Sequence, residues 1–304
     1  MGKLHVIAGP TASGKTSAAI NLAKQIDGEV ISADSMQVYK YMDIGTAKPT
    51  VQEMDGIPHH LLDVALPSQP FSVADYVQLA ETAIQDITAR GKVPILAGGT
   101  GFYINAVING TTFDTGESGL HEQDNQLREE FTALAYEKGA EYIHEKLQAV
   151  DPSYAENVHP NNVKKVARAL SFFHTTGKQL SMHNASQKSA NPKYNASFCV
   201  LHMPREVLYD RINTRVIAMW DAGLPQEVEN LLASGYHANL TAMQGIGYKE
   251  TIPYLQGRMS KEETIAQIQQ NTRNYAKRQE TWFRHQAKGA KFISKDDITC
   301  FTTI

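Results

Sequence analysis

A run near the start of the chain, GPTASGKT, has the spacing of a loop that wraps its backbone around phosphate. Its glycines let the backbone turn N–H groups inward, and the helix expected to follow adds a favourable field for anions. Lys15 supplies a point charge for the outer phosphates, and the Thr16 hydroxyl is placed to hold Mg²⁺. We therefore predict a phosphate-binding loop. Its residues are Gly9, Pro10, Thr11, Ala12, Ser13, Gly14, Lys15 and Thr16.

The motifs that accompany this loop in ATP- or GTP-binding proteins are not apparent elsewhere in the sequence. The strand-like segment PILAGG ends in glycines where an ATPase often carries a metal-binding acid, and there is no Asn-Lys-x-Asp guanine reader. From the loop alone, three classes remain open. They are a small-molecule kinase that uses ATP, an RNA-associated ATPase or binding module, and an enzyme whose ligand is a different phosphorylated group.

Two polar residues follow predicted strands, at the points where those strands end. Asp34 comes after EVIS and Thr100 comes after VPILAGG. In an open parallel sheet, ligands bind at the carboxyl ends of the strands, so both side chains are candidates for the site. Each could instead serve only as a turn or helix cap. Arg211 and Arg215 lie four residues apart on a predicted helix, where they could share an anion or remain a solvated pair.

The fold class follows from how strands and helices alternate. Over residues 1–112, short apolar strands alternate with helices, which predicts an α/β protein with a P-loop NTPase-like parallel sheet and helices on both faces. From 113 to 196 the segments are polar and helical. We therefore predict a catalytic core formed by residues 1–112 and 197–304, including the C-terminal helices, and a helical insertion domain at 113–196.

Composition limits the environment and the partners. The chain has 304 residues, a formal net charge of −3 and no apolar run of the roughly 18 residues that a membrane span needs. Cys199 and Cys300 cannot build a disulfide framework, and no signal peptide is evident. We therefore expect a cytoplasmic protein without a membrane partner. His59 and His60 point to opposite sides of a predicted strand and are interpreted as structural.

Two basic surfaces stand out despite the negative net charge. Lys164, Lys165 and Arg168 lie within HPNNVKKVARAL in the predicted insertion, and the C-terminal segment TRNYAKRQETWFR carries a second group of cations. Such groups are often only solvated faces. Together they indicate a clamp for a folded anion.

Seven segments, in this order along the chain, resemble the tRNA dimethylallyltransferase (tRNA isopentenyltransferase) family of the bacterial type. They are GPTASGKT, SADSMQVYKYMDIGTAKP, PHHLLD, AGGTGFY, HPNNVKKVARAL, GIGYKE and YAKRQETWFR. The resemblance implies transfer of a dimethylallyl group from dimethylallyl diphosphate to the exocyclic N6 amine of the adenosine 3′-adjacent to the anticodon of tRNA. The partners it implies are dimethylallyl diphosphate and the tRNA anticodon stem-loop, which the insertion domain would bind. We expect a monomer.

The resemblance also implies roles for particular residues. Asp34 matches the general base, Lys15 and Thr16 match contacts to diphosphate and Mg²⁺, and Arg215 matches an arginine on the diphosphate. The residues that match tRNA contacts are Asp34, Ser35, Met36, Gln37, Thr100, Lys164, Lys165, Val166, Ala167, Arg168, Met243, Gln244, Gly245, Ile246, Gly247 and Tyr248. The stretch 111–125 departs most from the family pattern, and no site is assigned there.

Overall fold

The computed structural model describes residues 3–111, 118–189, 192–295 and 297. The chain forms two compact units, one made of Met1–Gly110 with Pro192–Ile304 and the other of Thr111–Asn191. Residues 113–117 of the predicted insertion domain and Cys300 lie outside the described residues.

A six-stranded sheet forms the centre of the first unit, with the strand order β3-β2-β4-β1-β5-β6. Every pairing between these neighbours is parallel, as the sequence predicts. Two short edge strands complete the sheet, and the last of them carries no clear strand signal in the sequence. The strands are β1 (Lys3–Ala8), β2 (Gly28–Ser32), β3 (His59–His60), β4 (Val93–Gly98), β5 (Asn195–Leu201) and β6 (Lys291–Ile293).

Helices of both units follow in chain order. The first unit begins with α1 (Lys15–Ile26), α2 (Val51–Met54), α3 (Val73–Ala89) and α4 (Gly101–Asn109). The second unit is helical, with α5 (Ser118–Lys138), α6 (Ala140–Val150), α7 (Pro152–Ala155), α8 (Val163–Thr176) and α9 (Leu180–Ser189). The first unit then resumes with α10 (Arg205–Asp221), α11 (Leu224–Ala233), α12 (Tyr248–Leu255) and α13 (Lys261–Gln286). No helix in these described parts is long and apolar enough to cross a membrane.

The parallel register brings three chain segments to one edge of the sheet. Ala8 at the end of β1 lies opposite Gly98 at the end of β4, and Ser32 at the end of β2 lies opposite Ala97. The segments that follow β1, β2 and β4 therefore leave the sheet side by side. This edge carries the phosphate-binding loop, Asp34 and Thr100, and it is the edge at which open parallel sheets bind ligands.

The second unit has its own apolar core, and α8 contributes to it along one face. Val166 and Ala167 are fully buried there. Lys164, Lys165 and Arg168 lie on the exposed side of the same helix. The resemblance implies tRNA contact at Val166 and Ala167, but in this amphipathic helix their side chains are buried and hold the helix in place.

A buried carboxylate ties β2 to the end of α3. Glu29 is only 2 % exposed, and it accepts hydrogen bonds from Arg90 Nη2 at 2.7 Å and from His60 Nε2 at 2.7 Å. The hydrogen bond from Arg90 is the largest cause of the low pKa of Glu29, about 2, and burial opposes it. His60 is therefore structural, as the sequence predicts.

Replacing Glu29 by glutamine is expected to lower the free energy of unfolding by about 3 kcal/mol near neutral pH. Because folding depresses the pKa of Glu29, its stabilisation is complete above the pKa of the unfolded chain and is lost as the pH falls from about 4.5 to about 2. Urea denaturation of the wild type and of Glu29→Gln measures this difference. If the difference in unfolding free energy between the two proteins stays constant down to about pH 2, the ionised Glu29 does not stabilise the fold as proposed.

Candidate functional site

The phosphate-binding loop has the backbone that such a loop needs. Gly9 has φ 148°, and a Cβ there would lie 2.8 Å from the carbonyl oxygen of Leu201. Gly14 has φ 88° and precedes the first turn of α1, so no side chain covers the free N–H groups at the helix start. Lys15 Nζ donates to the Pro10 carbonyl at 2.7 Å, which holds the ammonium group over the loop. The loop and the N-terminus of α1 therefore form an anion site.

One cavity beside this loop brings together the four residues expected to act in catalysis. Lys15, Thr16, Asp34 and Arg215 all line it, together with Gln37. Among the other loop residues, Thr11, Ala12 and Gly14 also line the cavity, whereas Gly9, Pro10 and Ser13 do not. Arg211 is exposed and lies outside this cavity. The two arginines therefore do not share an anion in it.

Burial and neighbouring charges shift the pKa values of Lys15 and Arg215. Burial lowers the pKa of Lys15 to about 8, while Asp34 raises it and Arg215 lowers it further. Burial likewise lowers the pKa of Arg215, and Asp34 raises it. Both cations therefore lie in a poorly hydrated place where their attraction for an anion is strong.

Asp34 is both a turn residue and part of the cavity. Its Oδ1 accepts the backbone N–H of Met36 at 2.9 Å, which closes a local turn. Within the described residues its Oδ2 has no hydrogen-bond partner, and Asp34 lines the cavity. One oxygen is thus used for structure and the other is free for chemistry.

Thr100 does not cap α4 through its side chain, so that interpretation of the residue is wrong. It occupies the N-cap position, but its hydroxyl makes no hydrogen bond to the helix. Instead, its Oγ1 accepts the backbone N–H of Ser35 at 3.0 Å. Thr100 therefore fixes the segment that carries Asp34.

Several residues of the cavity were not predicted as site residues, among them Gln279, Tyr275 and His59. Gln279 and Tyr275 reach the cavity from α13, far along the chain. His59, interpreted from the sequence as structural, also lines it. Nδ1 of His59 contacts the Ile57 carbonyl oxygen at 2.8 Å, its buried Nε2 has no partner in the described part of the chain, and burial lowers its pKa. Its imidazole is therefore neutral near pH 7.

The segment Met243–Tyr248 mainly supports the loop that follows Asp34. Met243 and Tyr248 are fully buried, so direct tRNA contact by these two side chains is corrected. The Tyr248 hydroxyl donates to Glu227, which also accepts the backbone N–H groups of Ile44 and Gly45. Gly247 is buried and Ile246 is partly buried, whereas Gln244 is exposed.

A magnesium ion fits the donor atoms of the cavity. In phosphate sites Mg²⁺ keeps several waters and takes one or two protein oxygens in addition to the phosphates. The exposed Thr16 hydroxyl is an oxygen ligand of this kind. Among the described residues, no group of three or more His, Cys, Asp or Glu side chains is arranged so that it could hold a metal ion. The ion would therefore be held largely by the diphosphate itself.

The fold and the cavity define a P-loop α/β protein in which a lysine, an arginine and a carboxylate face one anion site. Residues 37–286 match the family profile described as IPP transferase. A tRNA dimethylallyltransferase of Acetivibrio thermocellus is 48 % identical over 298 residues, which cover 98 % of this chain and 93 % of the relative. One of Bacillus cereus is 50 % identical over 98 % of this chain and 89 % of its own length.

Solved structures agree with these sequence matches. The crystal structure of a tRNA isopentenylpyrophosphate transferase from Staphylococcus epidermidis is 40 % identical with a TM-score of 0.71, over 100 % of this chain and 98 % of that one. A eukaryotic dimethylallyltransferase acting on tRNA is 30 % identical with a TM-score of 0.81, over 100 % of this chain and 76 % of that one. The chain belongs to the tRNA dimethylallyltransferase family, as its motifs predict, and is a transferase. The kinase alternative is not favoured.

Proposed function

We propose that the protein transfers the dimethylallyl group of dimethylallyl diphosphate to the exocyclic N6 amine of the adenosine 3′-adjacent to the anticodon of tRNA. The bond from the allylic carbon to the diphosphate oxygen breaks, and its electron pair leaves with diphosphate. The N6 lone pair forms the new C–N bond, and the amine loses one proton. The observation that carries this proposal is the single cavity that joins the phosphate-binding loop, Arg215 and Asp34.

The cationic side of the cavity supports departure of the diphosphate. Loop residues, Lys15 and Arg215 line the cavity in which negative charge would grow as the allylic bond breaks. Because this space is poorly hydrated, their stabilisation of that charge is stronger than in water. A bound Mg²⁺, held by Thr16 and the diphosphate, would add to the neutralisation of the leaving group.

The carboxylate side of the cavity supports activation of the amine. The adenine amine is a weak nucleophile because its lone pair is delocalised into the ring, so loss of a proton during attack helps it. Oδ2 of Asp34 is free to accept that proton, while Oδ1 keeps the turn closed. To reach Asp34, the adenosine must leave the stack of the anticodon loop, as other base-modifying enzymes require of their targets.

Placement of the tRNA is assigned to exposed cations of the second unit. Lys164, Lys165 and Arg168 project from one side of α8, and phosphate contacts of this kind give affinity and register. Exposed Gln244 and the turn from Ser35 to Gln37 remain candidates for contacts close to the target base. We infer that the second unit, which corresponds to the insertion domain predicted at 113–196, binds the anticodon stem-loop.

The position of the target base is tested with an unmodified anticodon stem-loop RNA. Incubation with the protein, Mg²⁺ and dimethylallyl diphosphate should give one prenylated adenosine, identified by nuclease digestion and mass spectrometry of the fragments. Replacing the adenosine 3′ of the anticodon by guanosine should abolish the product. Prenylation of another adenosine at the wild-type rate would contradict the proposed acceptor.

Neutralising the basic face of α8 should weaken tRNA binding. With Lys164, Lys165 and Arg168 changed to glutamine, the slope of log K against log salt should fall by about one for each phosphate that the variant no longer neutralises. Binding is measured by fluorescence anisotropy across a salt series. Lys138→Gln with Lys146→Gln in the same unit is the matched control, and donor affinity should stay unchanged in both proteins. If the slope of log K against log salt is unaltered in the triple variant, the three cations of α8 are only solvated and contact no phosphate.

Donor binding should weaken as the pH rises past about 8, because the free Lys15 ammonium then loses its proton. The sign follows from the charge: the protonated form attracts diphosphate, so affinity is greatest below this pKa. The KM for dimethylallyl diphosphate, measured from about pH 7 to about pH 9.5, should therefore increase. Lys15→Arg keeps its charge throughout this range and should show a flat profile. A wild-type KM that is independent of pH would contradict the role of this ammonium.

A further inference from the structure

One buried side chain joins the two halves of the cavity. Gln279 on α13 is 7 % exposed; its Oε1 accepts the backbone N–H of Thr11 at 2.9 Å, and its Nε2 donates to the Gly99 carbonyl at 3.0 Å. Thr11 belongs to the phosphate-binding loop after β1, and Gly99 follows β4. The amide therefore ties the donor side of the cavity to the segment that leads into Thr100.

The surroundings of Gln279 leave it little freedom. A Cβ placed on Gly99 would lie 2.3 Å from Gln279 Nε2, so the amide can approach the backbone this closely only because residue 99 is glycine. Both polar atoms of the amide are used, and each bond spans a large part of the chain. Gln279 is thus a fixed bridge between the two segments.

Tyr275 extends this bridge toward the carboxylate. It lies four residues before Gln279 on α13, hence on the same face of the helix, and it lines the same cavity. Burial and the charge of Asp34 raise the pKa of Tyr275 while Thr100 and Gln279 lower it, so its hydroxyl lies near all three residues. Thr100 in turn accepts the N–H of Ser35, the neighbour of Asp34. Because Gly99 and Thr100 are neighbours in the chain, a continuous set of contacts runs from Thr11 through Gln279 and Thr100 to Ser35.

The chemistry makes the distance between these two segments important. An allylic diphosphate that ionises leaves a reactive carbon, and the amine captures it only if the two atoms are already close. A displacement of about 1 Å can cost about 100-fold in rate. Water is the competing acceptor, and it needs no positioning.

We propose that Gln279 and Tyr275 are positioning residues that fix the donor loop against the segment bearing Asp34, so that the dimethylallyl group goes to the amine and not to water. The inference rests on the proposed function. In the competing reaction, dimethylallyl diphosphate and water give dimethylallyl alcohol, diphosphate and a proton. The C–O bond to the diphosphate breaks with its electron pair, and a C–O bond to water forms.

The test compares Gln279→Leu and Tyr275→Phe with the wild type. The single-turnover rate of transfer, the KM for dimethylallyl diphosphate, and the ratio of dimethylallyl alcohol to prenylated tRNA are measured in the same reactions. The transfer rate should fall roughly 10- to 100-fold, with the donor KM changed less than about threefold. The ratio of alcohol to prenylated tRNA should rise at least about tenfold. A variant that had merely lost folded protein would show a lower rate at an unchanged ratio.

Matched controls carry the same substitutions at exposed sites: Gln267→Leu on the solvent side of α13 and Tyr136→Phe in the second unit, where Tyr136 is 88 % exposed. Both should behave as the wild type. If Gln279→Leu does not fold, Tyr275→Phe, which removes one hydroxyl, decides the question by the same ratio. A ratio equal to that of the wild type in the folded variants overturns the inference. A wild-type protein that transfers no dimethylallyl group overturns the proposed function instead.

Discussion

Changing Asp34 to alanine is expected to lower the single-turnover rate of prenyl transfer by roughly 10²- to 10⁴-fold, because the amine then has no positioned base. The effect on tRNA affinity should be small, since one hydrogen-bond acceptor to a base amine contributes only about 1–3 kcal/mol. Rapid-quench measurement with saturating tRNA and donor separates the chemical step from binding.

Asp34→Asn separates the two uses of this side chain. The amide keeps an oxygen that can accept the Met36 N–H, so the turn after β2 is retained, but it cannot take a proton. The asparagine variant should therefore fold as the wild type does and transfer nearly as slowly as the alanine variant. Wild-type transfer by Asp34→Asn would remove Asp34 from the proton transfer and leave it as a turn residue.

Changing Lys15 to alanine should remove most of the activity, by roughly 10²- to 10³-fold in kcat, because a preorganised cation at the leaving group is lost. The KM for dimethylallyl diphosphate should also rise, since the same ammonium contacts the bound ground state. Steady-state and single-turnover rates at several donor concentrations measure both effects.

Lys15→Arg is the matched comparison, because it retains the charge but not the compact shape of the ammonium. It should recover part of the donor affinity and less of the rate. Exposed Lys24 on the same helix provides the control for loss of a charge from α1. A Lys15→Ala variant with a normal rate and a normal donor KM would show that this side chain does not face the diphosphate.

Several parts of the fold and site follow from local sequence. The apolar strands, the glycines of the loop and the helices after each strand all have short-range signatures, and the parallel order follows from their alternation. Asp34 and Thr100 could be placed at one sheet edge because each comes directly after a strand. This much required no knowledge of distant contacts.

The bridge from α13 could not be found in this way. The bond from Gln279 to Thr11 spans 268 positions, and the one to Gly99 spans 180. On a helix rich in Gln, Arg and Lys, nothing in the local pattern separates a buried amide from an exposed one. In the sequence, the bridge is indicated by Gly99, a glycine beside Thr100 that no turn obviously requires and whose missing side chain makes room for the amide.

Four residues that match tRNA contacts of the family are buried, for a common physical reason. Motif segments include residues that stabilise a site from behind, and a match cannot tell them from residues on its surface. Met243 and Tyr248 pack in the core beneath the loop after Asp34, and Val166 and Ala167 pack in the core of the second unit. Periodicity along α8 could have separated its buried residues from its cations.

We propose that the phosphate-binding loop holds an isoprenoid diphosphate and not ATP. It is tested most directly with purified protein, Mg²⁺, unmodified tRNA and dimethylallyl diphosphate labelled in the prenyl group, with and without γ-labelled ATP. Without ATP, the prenyl label should appear in tRNA, and one diphosphate should be released per group transferred. Consumption of ATP in proportion to product, or label from ATP in any product, would contradict it.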